Sequence, residues 1–115
     1  IHIHVPLTEN KNHKGTAFGG SQYAASALAC YGLFLVGVRS QGCMSNNIVI
    51  AEGDIQYKHP VTSSFDIVAT WTEPSFSSFF VKLNKLKKAK VNLQATVQSN
   101  RQDCSTFSGF FVAFL

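Results

Sequence analysis

The sequence predicts an α+β fold, a curved antiparallel sheet wrapped around one long helix. Two features carry the prediction. A 26-residue run from Ala17 to Gly42 is built of small and apolar residues with Arg39 as its single charge, and much of the remaining chain alternates with the two-residue period of strands. With 115 residues, 45% of them hydrophobic, residues 1–115 have room for one domain with a core and none for a second.

The elements follow in order. Ile1, Ile3 and Val5 alternate with His2 and His4 as in a half-buried strand, which Pro6 ends. Residues 6–16 read as a loop rich in Asn, Lys, Gly and Thr. A helix apolar on nearly all sides is buried on nearly all sides, and that is the expectation for Ala17 to Gly42. Gly42 supplies its C-terminal cap, and Arg39 sits in the last turn, where a cation suits the helix dipole. Ile48 to Tyr57 reads as a strand that stops at Pro60, and Ser64 to Glu73 as its antiparallel neighbour across a short turn. In PSFSSFFVKLNKLKKAK, Phe76, Phe79, Phe80, Leu83 and Leu86 fall at helical spacing, whereas SFFVKL alone would pass for a strand; a helical or mixed start is favoured. KVNLQATVQSN and CSTFSGFFVAFL close the fold as two strands joined by a turn around Asn100 to Asp103.

A strand, a long helix and then antiparallel strands make the hotdog arrangement. Its exposed sheet edges call for a second copy, so a homodimer or a dimer of dimers is expected. The charge agrees: 14% of residues are charged, against roughly 25% in an average soluble chain. Ala24 to Val38 comes nearest to a membrane span but is short and interrupted by Ser26, Tyr31 and two glycines, so no membrane partner is expected. Cys30, Cys43 and Cys104 are odd in number and widely spaced, which fits reduced thiols and a cytoplasmic location better than a disulfide framework or a zinc site. The chain starts at Ile1 rather than Met and shows no signal-peptide pattern, so an N-terminal element outside it is allowed for.

Two stretches carry a resemblance. NHKGTAFGGSQYA, followed some thirty residues later by IVIAEGDIQYKHPV, resembles the putative thioesterase domain of the hotdog superfamily that is also found fused behind an acetyltransferase domain in some bacterial proteins. The resemblance covers the chain from about Val5 onward. It implies a hotdog dimer, an acyl-CoA or acyl-carrier thioester as ligand, hydrolysis as the reaction, and no metal or separate cofactor, coenzyme A being part of the substrate. In such proteins the segment ahead of the central helix holds the substrate carbonyl against backbone N–H groups. That role falls here on Gly15, Gly19 and Gly20, with Thr16, Phe18 and Ser21 as further substrate contacts. The physics is sound, because the first-turn N–H groups of a helix lack partners and carry partial positive charge, and glycine admits a close approach.

The base is the open question. Many hotdog thioesterases place an acid on the central helix or in the loop before it, whereas here Ala17 to Gly42 has none and the loop offers only Glu9. His13, with Asn12 orienting substrate or water, is one candidate; the alternative is a pair that orders the loop. Glu52 is the other, since it interrupts an apolar strand, shares a strand face with Asp54, and among apolar neighbours would have its pKa raised by desolvation. An edge or interface hydrogen bond is its plainer role. Ser21 and Ser26 have no obvious paired base.

Five of the ten basic residues, Lys82, Lys85, Lys87, Lys88 and Lys90, fall within nine positions. Lys87 and Lys88 are assigned to the phosphates of coenzyme A or the acidic face of an acyl carrier protein, against a plain solvated strand start. Nucleic acid is not an expected partner, because no reader motif accompanies the lysines. Phe65, Trp71, Phe107, Phe110, Phe111 and Phe114 are core or acyl-pocket wall, and His2 and His4 lack further ligands for a metal. Rival readings are a non-catalytic acyl-thioester binding module and a hydratase or dehydratase on the same fold.

Overall fold

Strand length decides how this sheet assembles. The structure, a computed structural model, describes residues 1–6 and 19–115. It contains β1 (His2–Val5), α1 (Gly19–Ser40), β2 (Ile48–Tyr57), β3 (Phe65–Thr70), α2 (Ser75–Leu86), β4 (Lys88–Ser99) and β5 (Gln102–Phe114). The five strands form one antiparallel sheet in the order β1-β3-β4-β5-β2.

β4 and β5 form its spine. Asn100 and Arg101 both adopt positive φ, 52° and 61°, the pattern of the tight hairpin turn that suits strand twist. The expected pairing of β2 with β3 is not found. β2 pairs with β5, and β3 lies between β1 and β4. The reason is length: β3 has 6 residues and cannot satisfy the 10 of β2, whereas β5 has 13. β3 also ends at Thr70, short of the expected Glu73, because Trp71 leaves the sheet to pack among aromatic rings.

One face of the sheet buries alternate residues, among them Ile67, Ala69, Val91, Leu93, Phe107 and Phe111. α1 covers this inner face with a stripe at helical spacing: Gln22, Ser26, Ala29, Cys30, Phe34 and Val38. α1 is long and apolar enough to cross a bilayer by length and composition, but here its stripe packs on the sheet. It is not buried on nearly all sides as expected, since Leu28 and Val36 are exposed on the side away from the sheet. Its end matches expectation. Gly42 has φ 81°, and the N–H groups of Gly42 and Cys43 donate to the carbonyls of Arg39 and Val38, a Schellman cap.

Phe34 of α1 and Trp71 meet Phe76, Phe79 and Phe80 in a cluster of edge-on and tilted rings, with Trp71 stacked on Phe80. Glu73 starts α2, its carboxylate accepting the Ser77 N–H at 2.7 Å and the Ser77 hydroxyl; these bonds hold its carboxyl below the usual range. Leu86 departs from the expected core stripe. It stands in the last helical position and is 66% exposed. Phe110 and Phe114 also differ, since they lie on the outer face of the sheet, opposite to Phe107 and Phe111.

Two outcomes are expected. A Cβ on Gly37 would lie 2.7 Å from the Trp71 ring, which its aromatic neighbours hold in place, so Gly37→Ala costs about 1–3 kcal/mol in urea denaturation at unchanged m-value. The second concerns Asp66, which accepts hydrogen bonds from His4 at 2.9 Å and His2 at 3.1 Å, tying β1 to β3 and holding its carboxyl below the usual range, His4 contributing most. A depressed carboxyl stabilises the fold above its unfolded pKa and ceases to do so as pH falls through the folded one. Wild type is therefore more stable than Asp66→Asn at neutral pH, and the gap closes as the pH of the melt drops below about 4.

Candidate functional site

The start of α1 meets the end of β2 closely. The Tyr57 hydroxyl donates to the Gly19 carbonyl at 2.7 Å, and a Cβ on Gly19 would lie 3.2 Å from the Tyr57 ring and push it back. Burial first, and the neighbouring Tyr23 phenol second, raise the Tyr57 pKa above its ordinary value, so it stays a donor at neutral pH. Gln22 is buried one turn into the helix, where its carbonyl oxygen accepts the Ser105 hydroxyl at 2.6 Å. A bonded, buried amide holds its orientation. Ser26, the next residue along the stripe, is fully buried, and its hydroxyl finds no partner among the described residues.

A cavity of about 330 Å³ opens beside this helix start, lined by Gly19, Gln22, Tyr57, His59 and Val61. The chain is turned there by the Lys58 and His59 N–H groups, which both donate to the Cys104 carbonyl, at 2.8 and 3.0 Å. The positive end of a helix dipole beside a cavity suits a polarised carbonyl or an anion.

Of the residues expected from sequence, Gly19, Gly20 and Ser21 form the described first turn of α1. Asn12, His13, Gly15, Thr16 and Phe18 lie outside the described residues. Glu52 does not line the cavity at the start of α1; it borders a separate hollow with Tyr23, Ile50, Ala51 and Gly53. The β2–β5 register slips between Ile50 and Glu52, leaving Ala51 as the extra residue of a bulge. The slip reverses the alternation, so Gly53, Ile55 and Tyr57 point toward α1 while Glu52 and Asp54 lie together on the outer face, exposed. There Glu52 stands opposite Phe110 but is exposed, so the burial expected for it is not found.

Lys87 and Lys88 are also remote. Ser105 contacts Gln22 near the start of α1, and Phe114, the register partner of Lys88, stands nine residues further along β5, about 30 Å at the rise of a strand. Lys87 itself caps α2 in a left-handed conformation, φ 64°, its N–H donating to the Leu83 carbonyl. Among the described residues no carboxylate lines the cavity at the helix start. Asp66 and Glu73 are engaged as above, and Asp103 accepts the Gln98 amide at 3.1 Å.

Sequence reasoning missed Gln22, Tyr57 and His59. A signal for the last two was present, because Tyr57 to Pro60 directly follows the strand that ends beside the helix start. Cys30 and Cys104 supply no nucleophile. Burial pushes the Cys30 thiol up to about 12 and raises that of Cys104 as well.

A family model described as putative thioesterase (yiiD_Cterm) matches residues 1–115. Among solved structures, a protein of unknown function from Chlorobaculum tepidum TLS is 26% identical with a TM-score of 0.90, the match covering 98% of this chain and 75% of that one. A putative thioesterase from Shewanella oneidensis is 28% identical with a TM-score of 0.85, over 99% of this chain and 76% of that one. A Bacillus halodurans protein solved with CoA shares the fold, at 14% identity and a TM-score of 0.67 over 99% of this chain and 67% of that one.

Thiol titration checks the burial pattern. Native protein is expected to react quickly with a disulfide reagent at Cys43 alone, and Cys30 and Cys104 only once denaturant is added.

Proposed function

The chain belongs to the putative thioesterase family whose model spans its 115 residues, and on that premise we propose that it hydrolyses an acyl thioester of coenzyme A or of an acyl carrier protein. The observation that carries the reading is the cavity at the start of α1, lined by Gly19 of the first described turn, Tyr57 and the fixed Gln22 amide. The thioester carbonyl lies against the N–H groups of Gly19, Gly20 and Ser21, continued upstream by Gly15, Thr16 and Phe18. Water adds to the carbonyl carbon, a base takes its proton, the C–S bond breaks, and the thiolate leaves with a proton to give a carboxylic acid and a thiol. His13, oriented by Asn12, and His59 on the cavity wall are the two candidates for that base. Glu52 is set aside because it faces the other side of the sheet.

The assembly is a dimer formed through β2. This strand of 10 residues is an edge of the sheet, it exposes Val49, Ile50 and Tyr57, and the uncovered Leu28 and Val36 of α1 lie in a helix packed beside it. Pairing β2 with β2 of a second copy across a two-fold covers the open edge and leaves Glu52 on the outer face. Two such dimers can then associate as a dimer of dimers. Three free cysteines fit the reducing cytoplasm. One observation favours a second reading, an acyl-thioester binding module without turnover: no carboxylate lines the cavity among the described residues.

The test is thiol release from acyl-CoA esters of graded chain length, with binding of the same esters followed by calorimetry. Saturable release is expected; binding without release establishes the second reading, and neither result rejects both. Given turnover, replacing the true base, by His13→Ala or His59→Ala, lowers kcat by about 10²–10⁴-fold, whereas Glu52→Gln stays within about twofold. In sedimentation, Ile50→Asp is expected to shift the dimer to monomer.

A further inference from the structure

The end of the sheet remote from the α1 start carries a second concavity of about 530 Å³, between the last turn of α2 and the paired ends of β4 and β5. Its rim is basic, with Lys82 from α2 and Lys88 and Lys90 from β4; its floor is apolar, formed by Leu86, Val112 and Phe114 with Ala89 beneath. The strand register explains the mixture. Lys88 stands opposite Phe114 and Lys90 opposite Val112, so each lysine of β4 has an apolar neighbour on the same outer face.

Both features are left unsatisfied among the described residues, of which no carboxylate lines the groove and none forms an ion pair with Lys82, Lys85, Lys87, Lys88 or Lys90. The Lys90 ammonium rests instead 4.9 Å above the Phe110 ring. Leu86 is 66% and Phe114 39% exposed, large apolar side chains facing water beside those charges. A neutral lipid would cover the floor and leave the charge; a bare anion would do the reverse. A ligand with both parts satisfies both, and the volume falls in the range of small-molecule sites.

We propose that this groove binds a single-chain amphiphile with a phosphate head, the head shared by Lys82, Lys88 and Lys90 and the chain laid over Leu86, Val112 and Phe114. Phosphate is favoured over carboxylate because its two charges and its oxygens can serve three ammonium groups at once. The site is independent of the thioester reading, lying about 30 Å along the sheet from the helix start.

Calorimetry on the full chain, with decyl phosphate below its micelle concentration, tests the proposal. Saturable binding is expected, at least tenfold tighter than inorganic phosphate and than decanoate. Lys82→Gln combined with Lys90→Gln, and separately Leu86→Asp, each weaken it at least tenfold; all three positions are exposed, and an unchanged thermal midpoint confirms that the variants fold. No binding, or binding that these variants leave unchanged, overturns the proposal. Equal affinity for decanoate overturns the phosphate head, and equal affinity for adenosine 3′,5′-bisphosphate, which has no chain, overturns the amphiphile in favour of a nucleotide. Should Leu86→Asp instead dissociate an oligomer in sedimentation, a second copy covers the groove and the proposal fails.

Discussion

The packing of α1 on the inner face of the sheet is the contact on which the rest depends. Its buried stripe changes character along its length. Toward the C-terminal end Phe34 faces Trp71, Phe79 and Phe111, Val38 is buried, and Gly37 admits the indole. Toward the N-terminal end the same stripe carries Gln22, bonded to the Ser105 hydroxyl, and the buried Ser26. Apolar burial is non-directional, so the aromatic end can hold the helix firmly, while the polar end is oriented by hydrogen bonds and leaves room beside it. A helix anchored at one end presents the N–H groups of the other end in a fixed position, which is what binding a polarised group requires.

β2 sets the other half of the geometry through one extra residue. Without the bulge at Ala51, strict alternation from Ile48 would turn Glu52 inward and Tyr57 outward. With it, Gly53 and Tyr57 face the helix, where a Cβ on residue 53 would come within 2.3 Å of the Tyr23 hydroxyl. The acid is thereby removed from the inner face and a phenol takes a place at the helix start.

How far the sequence could be read follows from these two facts. Element type was legible wherever one period dominated: the bounds of β2, the Gly42 cap and the helical spacing of Phe76, Phe79, Phe80 and Leu83 all agree with the structure. Strand order was not, because proximity in sequence favours β2 beside β3, while the choice turns on the lengths of strands elsewhere. The helix-start glycines were legible through the resemblance as well as through the chemistry of unpaired N–H groups. The side of the sheet that Glu52 occupies was not, since a bulge leaves no mark in an alternating pattern that contains Ala51 and Gly53. Tyr57, His59 and Gln22 gather only through tertiary packing, and Gln22 in sequence is one polar residue in an apolar helix.

The distribution of charge carries the argument one step further. The described acids are occupied in structural tasks or stand on the outer face: Asp66 binds the β1 histidines, Glu73 starts α2, Asp103 holds Gln98, and Glu52 and Asp54 face solvent. Among the described residues, the inner end of the sheet near Gly19 therefore offers hydrogen-bond donors and an imidazole without a competing negative charge. A carboxylate there would accept the same N–H groups that a carbonyl needs, and its charge would oppose an oxyanion forming beside it. Among the described residues the lack of an acid beside Gly19 thus favours the site as a receptor for developing negative charge, and under the proposed hydrolysis it shifts the demand for a proton acceptor onto histidine.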